Sequence, residues 1–204
     1  MADFRIGVVG LPGKWSTEVL ADAVESHTGL RLIIDMQAVS LDLAGQTLIY
    51  EGQDICEFDA LIIKKIAGEY SPATLDRLEL LRVAEAKGVR VFSGAEKILR
   101  LIDRLSCSVS LRNAGIPMPE TVVTEDIETA CRTVGNYDEA VFKPLYSTKA
   151  RGMCVIKAAD GEAQVRKAIR KFQNENQMMY IQKKKDLNGQ DFGMVFLGGE
   201  YLGS

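Results

Sequence analysis

Val141-Phe142-Lys143-Pro144-Leu145-Tyr146-Ser147-Thr148-Lys149-Ala150-Arg151-Gly152 is the stretch on which the reading of this chain turns. An apolar run, Glu139 to Pro144, carries one lysine near its end. Taken alone, Lys143 reads as a strand lysine snorkelling to solvent. The residues that follow, Tyr146 to Gly152, are small, polar and basic, and a second strand-like run begins at Met153 and lasts to Ala158. Strand, flexible basic loop and strand make a hairpin able to fold over a triphosphate. Its amides, hydroxyls and cations are the donors that phosphate oxygens take. Met179-Tyr180-Ile181-Gln182-Lys183-Lys184-Lys185 then ends a further strand, and Asp191 begins another after Asn188-Gly189. A triple lysine is by default a solvated face. Beside a strand lysine and a basic hairpin, the alternative arises that all of them face one anion.

Working outward, this second half reads as a small α+β unit rich in tight hairpins. A helix is expected over Asp103 to Ala114, stopped by Gly115-Ile116-Pro117, then an extended segment Pro119 to Val123 and a helix Glu125 to Val134. Asp160 is expected to cap a long amphipathic helix with Ala163, Val165, Ala168, Ile169 and Phe172 on its apolar side. Met178 to Gln182 and Phe192 to Leu197 read as strands. The first ~100 residues alternate strand and helix. Phe4 to Gly10 is a buried strand, and Ser16 or Thr17 caps a helix with Val19, Leu20, Ala23 and Val24 on one face, ended by Gly29. Leu30 to Met36, Leu48 to Tyr50, Phe58 to Ile66 and Val89 to Phe92 are strands. Pro72 opens a helix over Ala73 to Lys87 with Leu75, Leu78, Leu81 and Val83 inward, and Gly94 starts the next. Such alternation argues for a parallel sheet covered on both faces. The boundary between halves is expected near Ile98 to Leu105.

Composition narrows the classes. With 204 residues the chain exceeds one typical domain of ~100–150. Hydrophobic residues at 47% and charged residues at 26% give an ordinary globular balance. A net charge of -3, from 25 basic and 28 acidic residues, argues against strong nucleic-acid binding, which needs a cationic excess. No apolar run approaches the ~20 residues of a membrane span, and Met1-Ala2-Asp3-Phe4-Arg5 lacks the basic start of a secretory signal. Cys56, Cys107, Cys131 and Cys154 have no metal-ligand spacing and read as reduced, buried filler in a cytoplasmic protein. His27 is the only histidine and falls at a helix end on the surface, so chemistry built on a His base or a His-ligated metal is nearly excluded.

Gly10-Leu11-Pro12-Gly13-Lys14-Trp15-Ser16 follows a strand and opens a helix, which invites a P-loop reading. The spacing fails: position 8 is Val8 where the first glycine would stand, and Trp15 follows Lys14 where Ser or Thr is required. A structural turn, with anion binding as an option, is the better reading.

Five pieces in order resemble the ATP-grasp superfamily, and within it the RimK-like type that joins glutamate to a ribosomal protein. Phe58 to Ile66 resembles the strand closing the family's first domain. Ile102-Asp103-Arg104-Leu105, followed by Leu111 to Thr121, resembles the helix into the central lobe. Phe142-Lys143-Pro144-Leu145 with the loop to Gly152 is similar to the phosphate lysine and its lid. Tyr180-Ile181-Gln182-Lys183 resembles the adenine hinge. Gln190-Asp191-Phe192 with Val195 to Gly199 resembles the opening strands of the C-terminal lobe.

The resemblance implies a fold and roles. The fold would be α/β, with residues 1–100 a parallel-sheet pre-ATP-grasp domain, 101–183 the central lobe and 184–204 the start of a largely missing C-terminal lobe. Lys143 would hold ATP phosphates, and Arg104 would stand for a second phosphate lysine, exchanging a point charge for a planar fork. Ser147, Arg151 and Gly152 would form the lid. Gln182 and Lys183 would form the hinge, with Lys183 where a glutamate is common. Asp191 matches the aspartate after the hinge, although Gly193 stands where an arginine is usual. Ala150 replaces a lid glycine and would stiffen the loop. The family's two Mg²⁺ ions take Asp, Glu and Asn ligands from late strands, which this sequence does not contain, so no metal ligand is assigned here. The chain also ends on Leu197 to Ser204, a hairpin with its second strand barely begun. It is therefore expected to be the N-terminal part of a longer ligase, shortened by design or degradation.

The expected function is an ATP- and Mg²⁺-dependent carboxylate–amine ligase working through an acyl phosphate, with this fragment inactive alone and no catalytic residue assigned. Its substrates would be a carboxylate and an amine, with glutamate or a peptide or protein terminus among the candidates. The first domain, with Gly10 to Trp15 and Lys64-Lys65, would help hold the carboxylate. Unpaired edges of a shortened lobe could drive homo-oligomerisation. The rival is a degenerate grasp fold that binds a nucleotide or a protein without catalysis. A third reading treats only the first half as a flavodoxin-like ligand-binding unit.

Overall fold

The computed structural model describes residues 4–147 and 150–204. By its contacts the chain divides into two units, Met1–Met118 with Lys143–Met153, and Pro119–Phe142 with Cys154–Ser204. The loop after Lys143 thus belongs with the first unit. Met1 to Asp3, Thr148 and Lys149 lie outside the described residues. Among those described, no helix is long and apolar enough to cross a membrane.

In the first unit, β1 (Ile6–Val9) runs into α1 (Trp15–Thr28) and back to β2 (Ile33–Ile34). A small three-stranded sheet follows from β3 (Ser40–Asp42), β4 (Thr47–Tyr50) and β5 (Gln53–Asp54). The chain then returns to β6 (Ala60–Ile63), α2 (Pro72–Ala86) and β7 (Arg90–Phe92), and closes with α3 (Ala95–Ile102) and α4 (Arg104–Asn113). The main sheet has order β2-β1-β6-β7, every pair parallel. Register sets the faces, because side chains alternate along a strand. Val8, Ile33 and Ile62 fall on one side, packed with Ala21 and Val24 of α1. Val9, Ile34, Leu61 and Val91 fall on the other, over Leu78 and Leu81 of α2.

Several local expectations are corrected here. Lys14, not Ser16 or Thr17, occupies the cap of α1 and makes no side-chain cap bond. Thr17 is buried instead, beneath Gly10, where an added Cβ would sit 2.5 Å from Thr17 Cγ2. The buried stripe of α1 is therefore Thr17, Ala21 and Val24, while Val19 is 47% exposed. Small residues line the strand because the helix lies close to it. The expected strand over Leu30 to Met36 shrinks to two residues, while β3 and β5 were not foreseen. Pro72 does open α2, with Ser71 and Thr74 exchanging capping bonds.

The second unit contains β8 (Thr121–Thr124), α5 (Ile127–Tyr137), β9 (Glu139–Lys143), β10 (Cys154–Lys157), α6 (Glu162–Glu175), β11 (Met179–Lys183) and the hairpin β12 (Val195–Leu197) and β13 (Glu200–Gly203). Its sheet has order β10-β9-β11-β8, with β10–β9 and β11–β8 antiparallel. Helices link β8 to β9 and β10 to β11, so tight hairpins do not dominate this half. Gly161 (φ 84°) stands at the cap of α6 where Asp160 was expected, because Asp160 is used in a preceding 3₁₀ turn. Val165, Ile169 and Phe172 of α6 close on Phe142, Met179 and Ile181, and Ala163 is outside this set. The cysteines are not buried filler: Cys56, Cys107 and Cys131 are half-buried and Cys154 is exposed, all unbonded.

Candidate phosphate-binding loop

Strand β9 alternates strictly. Ala140 and Phe142 point into the core and are fully buried, so Lys143 emerges half-buried on the opposite face. Burial, and after it the neighbouring positive charge of Arg104, holds the Lys143 ammonium below the ordinary lysine range. Two cations held close in a partly dry place repel each other, and a bound anion would favour the charged form of both.

Arg104 is the first residue of α4. Asp103 caps this helix, its Oδ1 accepting from the Leu105 amide at 3.0 Å and its Oδ2 from Ser106 Oγ at 2.6 Å. The Arg104 side chain turns to the chain leaving β9. Its Nε donates to the Pro144 carbonyl at 2.9 Å and its Nη2 to Ser147 Oγ at 3.0 Å. Its own amide donates to the Leu145 carbonyl at 3.2 Å. Tyr146 packs against the apolar core of the first unit, and burial pushes its hydroxyl pKa up.

The far end of the loop is a tight turn. The Met153 amide donates to the Ala150 carbonyl at 3.3 Å. Ala150 adopts φ 58°, a left-handed conformation that costs a non-glycine residue ~1 kcal/mol. Gly152 has φ 69°, and a Cβ there would meet Pro144 Cγ at 3.0 Å. Gly152→Ala is therefore expected to cost ~1–2 kcal/mol, from backbone strain and contact together. Urea unfolding checks this, and an unchanged midpoint would contradict it. Arg151 Nη1 reaches Glu69 Oε1 at 2.6 Å, an exposed pair joining residues 82 apart in sequence.

Arg104, Lys143, Ser147, Arg151 and Gly152 thus fall in the first unit, while Gln182, Lys183 and Asp191 fall in the second. Gln182 Nε2 donates to Thr121 Oγ1 at 3.0 Å across β11 and β8. The Lys183 amide donates to the Glu120 carbonyl at 2.9 Å and the Lys184 amide to the Glu139 carbonyl at 3.0 Å. The amide of the expected hinge residue Lys183 and that of Lys184 after it are thus both bonded to protein partners. The Lys183 ammonium lies 3.4 Å from Glu120 Oε2 and 5.8 Å from the centre of the Tyr137 ring. Lys184 pairs with Glu139 at 2.5 Å, and Lys184 first, then Lys157, holds the Glu139 carboxyl below its usual range. Two of the three consecutive lysines are therefore turned to carboxylates of their own unit rather than gathered on one anion. Asp191 is exposed in an irregular segment. No group of three or more His, Cys, Asp or Glu suited to a metal occurs among the described residues.

The Gly10 to Ser16 turn is structural at its key amide. The Gly13 amide donates to Glu18 Oε1 at 2.6 Å. Arg31, and then this amide, holds the Glu18 carboxyl below its usual range. A carboxylate already covers that donor. Glu69, Glu120 and Glu139, which organise the basic side chains, carried no signal in the sequence because each partner is distant along the chain.

No protein-family model matches the chain. A tetrahydromethanopterin:alpha-L-glutamate ligase of Methanosarcina acetivorans is 26% identical over 98% of this chain, which spans 66% of that relative's length. Among solved structures, a RimK domain ATP-grasp protein from Sphaerobacter thermophilus matches 91% of this chain with a TM-score of 0.68 at 19% identity, over 66% of its own length. The ATP-grasp ligase PsnB, solved with a minimal precursor, matches 89% with a TM-score of 0.63 at 21% identity, over 64% of its own length. The fold is that of the ATP-grasp ligases, with the RimK-like proteins among its neighbours.

Proposed function

We propose that this chain, built on the RimK-like ATP-grasp fold, supplies the first domain and central lobe of an ATP-dependent carboxylate–amine ligase. Residues 1–100 are read as its first domain, 101–183 as the central lobe and 184–204 as the start of the C-terminal lobe. The observation that carries the reading is Lys143: a half-buried ammonium at the end of a core strand, beside Arg104 and at the base of a small polar loop.

The donor set fits a triphosphate. Lys143 would hold the phosphates, with the Ser147 hydroxyl, Arg151 and the backbone at Gly152 closing over them. ATP, when bound, supplies the phosphoryl group that turns a carboxylate into an acyl phosphate, open to attack by an amine with release of phosphate. The chain's own residues bind and orient rather than exchange protons, in keeping with its single histidine. The described residues do not furnish a Mg²⁺ cage, so no step here passes through the metal. PsnB has also been solved with Mg and ADP, which supports both groups for the complete protein. Glutamate is proposed as the amine substrate, from the name of the Methanosarcina relative. Lys64 and Lys65, whose amides donate to the Val9 carbonyl at the carboxyl end of the parallel sheet, are proposed to help hold the carboxylate. Cytoplasmic residence is proposed with the same reading.

The test is protection of Lys143. Its lowered pKa enriches the reactive free amine, so an amine-acylating reagent should label it readily. Saturating ATP with the complete protein should slow that labelling severalfold while leaving exposed lysines such as Lys97 and Lys167 unaffected. Labelling of Lys143 that ignores ATP would sink the reading.

A further inference from the structure

We infer that Arg104 is a positioning residue that clamps the start of the phosphate loop, and that the shape of its guanidinium, not its charge alone, performs the task. Three bonds from one residue reach three residues within the four-residue stretch 144–147. The Arg104 amide takes the Leu145 carbonyl at 3.2 Å, Nε takes the Pro144 carbonyl at 2.9 Å and Nη2 takes Ser147 Oγ at 3.0 Å. These are the residues that immediately follow Lys143. Proline at 144 cannot donate a backbone bond of its own, and its carbonyl is held by the guanidinium. The base of the clamp is firm, because Asp103 caps α4 through Leu105 and Ser106 and so fixes the backbone from which Arg104 projects.

Geometry separates this role from simple charge. A guanidinium presents N–H groups from separate nitrogens in a fixed plane, so one group can serve a carbonyl and a hydroxyl at the same time. An ammonium on a flexible stem retains the charge but carries all its donors on one nitrogen. Arg104→Lys would therefore keep the electrostatics at this position and lose the two-point hold. The consequence lies next door: the direction in which Lys143 leaves β9, and the place of the Ser147 hydroxyl, would no longer be fixed.

The consequence for phosphate binding rests on the ligase reading above, but the clamp itself does not. The experiment is hydrogen–deuterium exchange by mass spectrometry on the nucleotide-free full chain. We compare Arg104→Lys and Arg104→Met with the unaltered chain, reading the peptide that contains the residue-104 amide, which is bonded to the Leu145 carbonyl. Opening should rise about tenfold in both variants, equally, with α2 and β1 unchanged. Ser147→Ala removes only one acceptor and should raise the same peptide's exchange by less. If Arg104→Lys restores the slow exchange lost in Arg104→Met, charge suffices and the inference falls. A rise spread over the whole first unit would also overturn it, since that marks a general structural role. Should both Arg104 variants fail to fold, Ser147→Ala decides alone: local acceleration supports the clamp, and unchanged exchange overturns it. ATP is absent throughout, so failure of the clamp and failure of ATP to protect Lys143 are separate results.

Discussion

Lys143→Met is expected to weaken MgATP binding by the complete protein about a hundredfold. Methionine nearly matches the length of the lysine stem, so the half-buried path along β9 stays filled while the charge goes. Hydrogen bonds to charged groups contribute ~1.5–3 kcal/mol, and ~1.4 kcal/mol is a factor of ten, which places the loss between roughly tenfold and about 150-fold. Competition against a fluorescent ATP analogue measures it. Unchanged affinity would remove Lys143 from the phosphate site. The same residue predicts a pH signature. In the free protein the ammonium is held below the ordinary lysine range, by burial and then by Arg104. A bound triphosphate favours the charged form and raises that value again. Between the two values binding takes up a proton, so affinity is greatest below the free-protein pKa and falls as pH rises through it. The methionine variant should lose this alkaline dependence. A variant that keeps the full alkaline fall would place the titrating group elsewhere.

The strand that leads into the loop was legible in the sequence, for local reasons. The run Glu139 to Lys143 alternates with period two, and a strand with one buried face must then turn Lys143 away from Phe142. Pro72 after Ser71 and Gly29 after a helical run are local punctuation, and both ends of helix form where they stand. The buried face of α1 was not legible. Hydrophobicity points to Val19 and Ala23, but the helix sits so near Gly10 that Thr17 and Ala21 fit and larger groups would not. Strands of two or three residues, such as β3 and β5, have no pattern of their own and exist only by pairing with β4.

The candidate site shows the same division. Which residues carry charge is written in the chain; which way each charge points is not. Lys183, Lys184 and Arg151 meet Glu120, Glu139 and Glu69 over separations of 63, 45 and 82 residues. Nothing in local spacing encodes such pairs. The backbone of Gln182 and Lys183 was likewise expected to meet adenine by resemblance, while in the fold the Lys183 amide bonds to the Glu120 carbonyl. Arg104 is the instructive middle case. Its charge at the start of α4 was readable, and its hold on Pro144 and Ser147 arises only when α4 and the end of β9 come together.

Phe142→Ala is expected to cost ~3–5 kcal/mol, the largest loss of any single substitution argued for this chain. The ring is wholly buried and meets Phe172 of α6 edge to face, with centroids 5.4 Å apart. It shares one buried cluster with Ala130 and Val134 of α5, Ile169 of α6 and Ile181 of β11, so both helices and the sheet contribute to the core it belongs to. Whole domains are stable by only ~5–15 kcal/mol, and a loss of this size takes a large part of that. Phe142→Leu keeps most of the volume and should cost about 1–2 kcal/mol. Thermal unfolding followed by near-UV circular dichroism separates the two variants. Alanine costing no more than leucine would mean that the core collapses to refill the space, and that Phe142 does not anchor it. The substitution also links fold to chemistry. Phe142 and Lys143 are consecutive on β9, one face holding the core and the other presenting the ammonium. The backbone that carries Lys143 is continuous with the one that the buried ring holds in place. Loosening the ring should therefore return the Lys143 pKa toward the ordinary lysine range even where the domain stays folded, as in the leucine variant. Titration of the carbon-13-methylated amine reads this directly, and an unmoved Lys143 value in Phe142→Leu would show that burial of the ammonium is set by the loop and Arg104 alone.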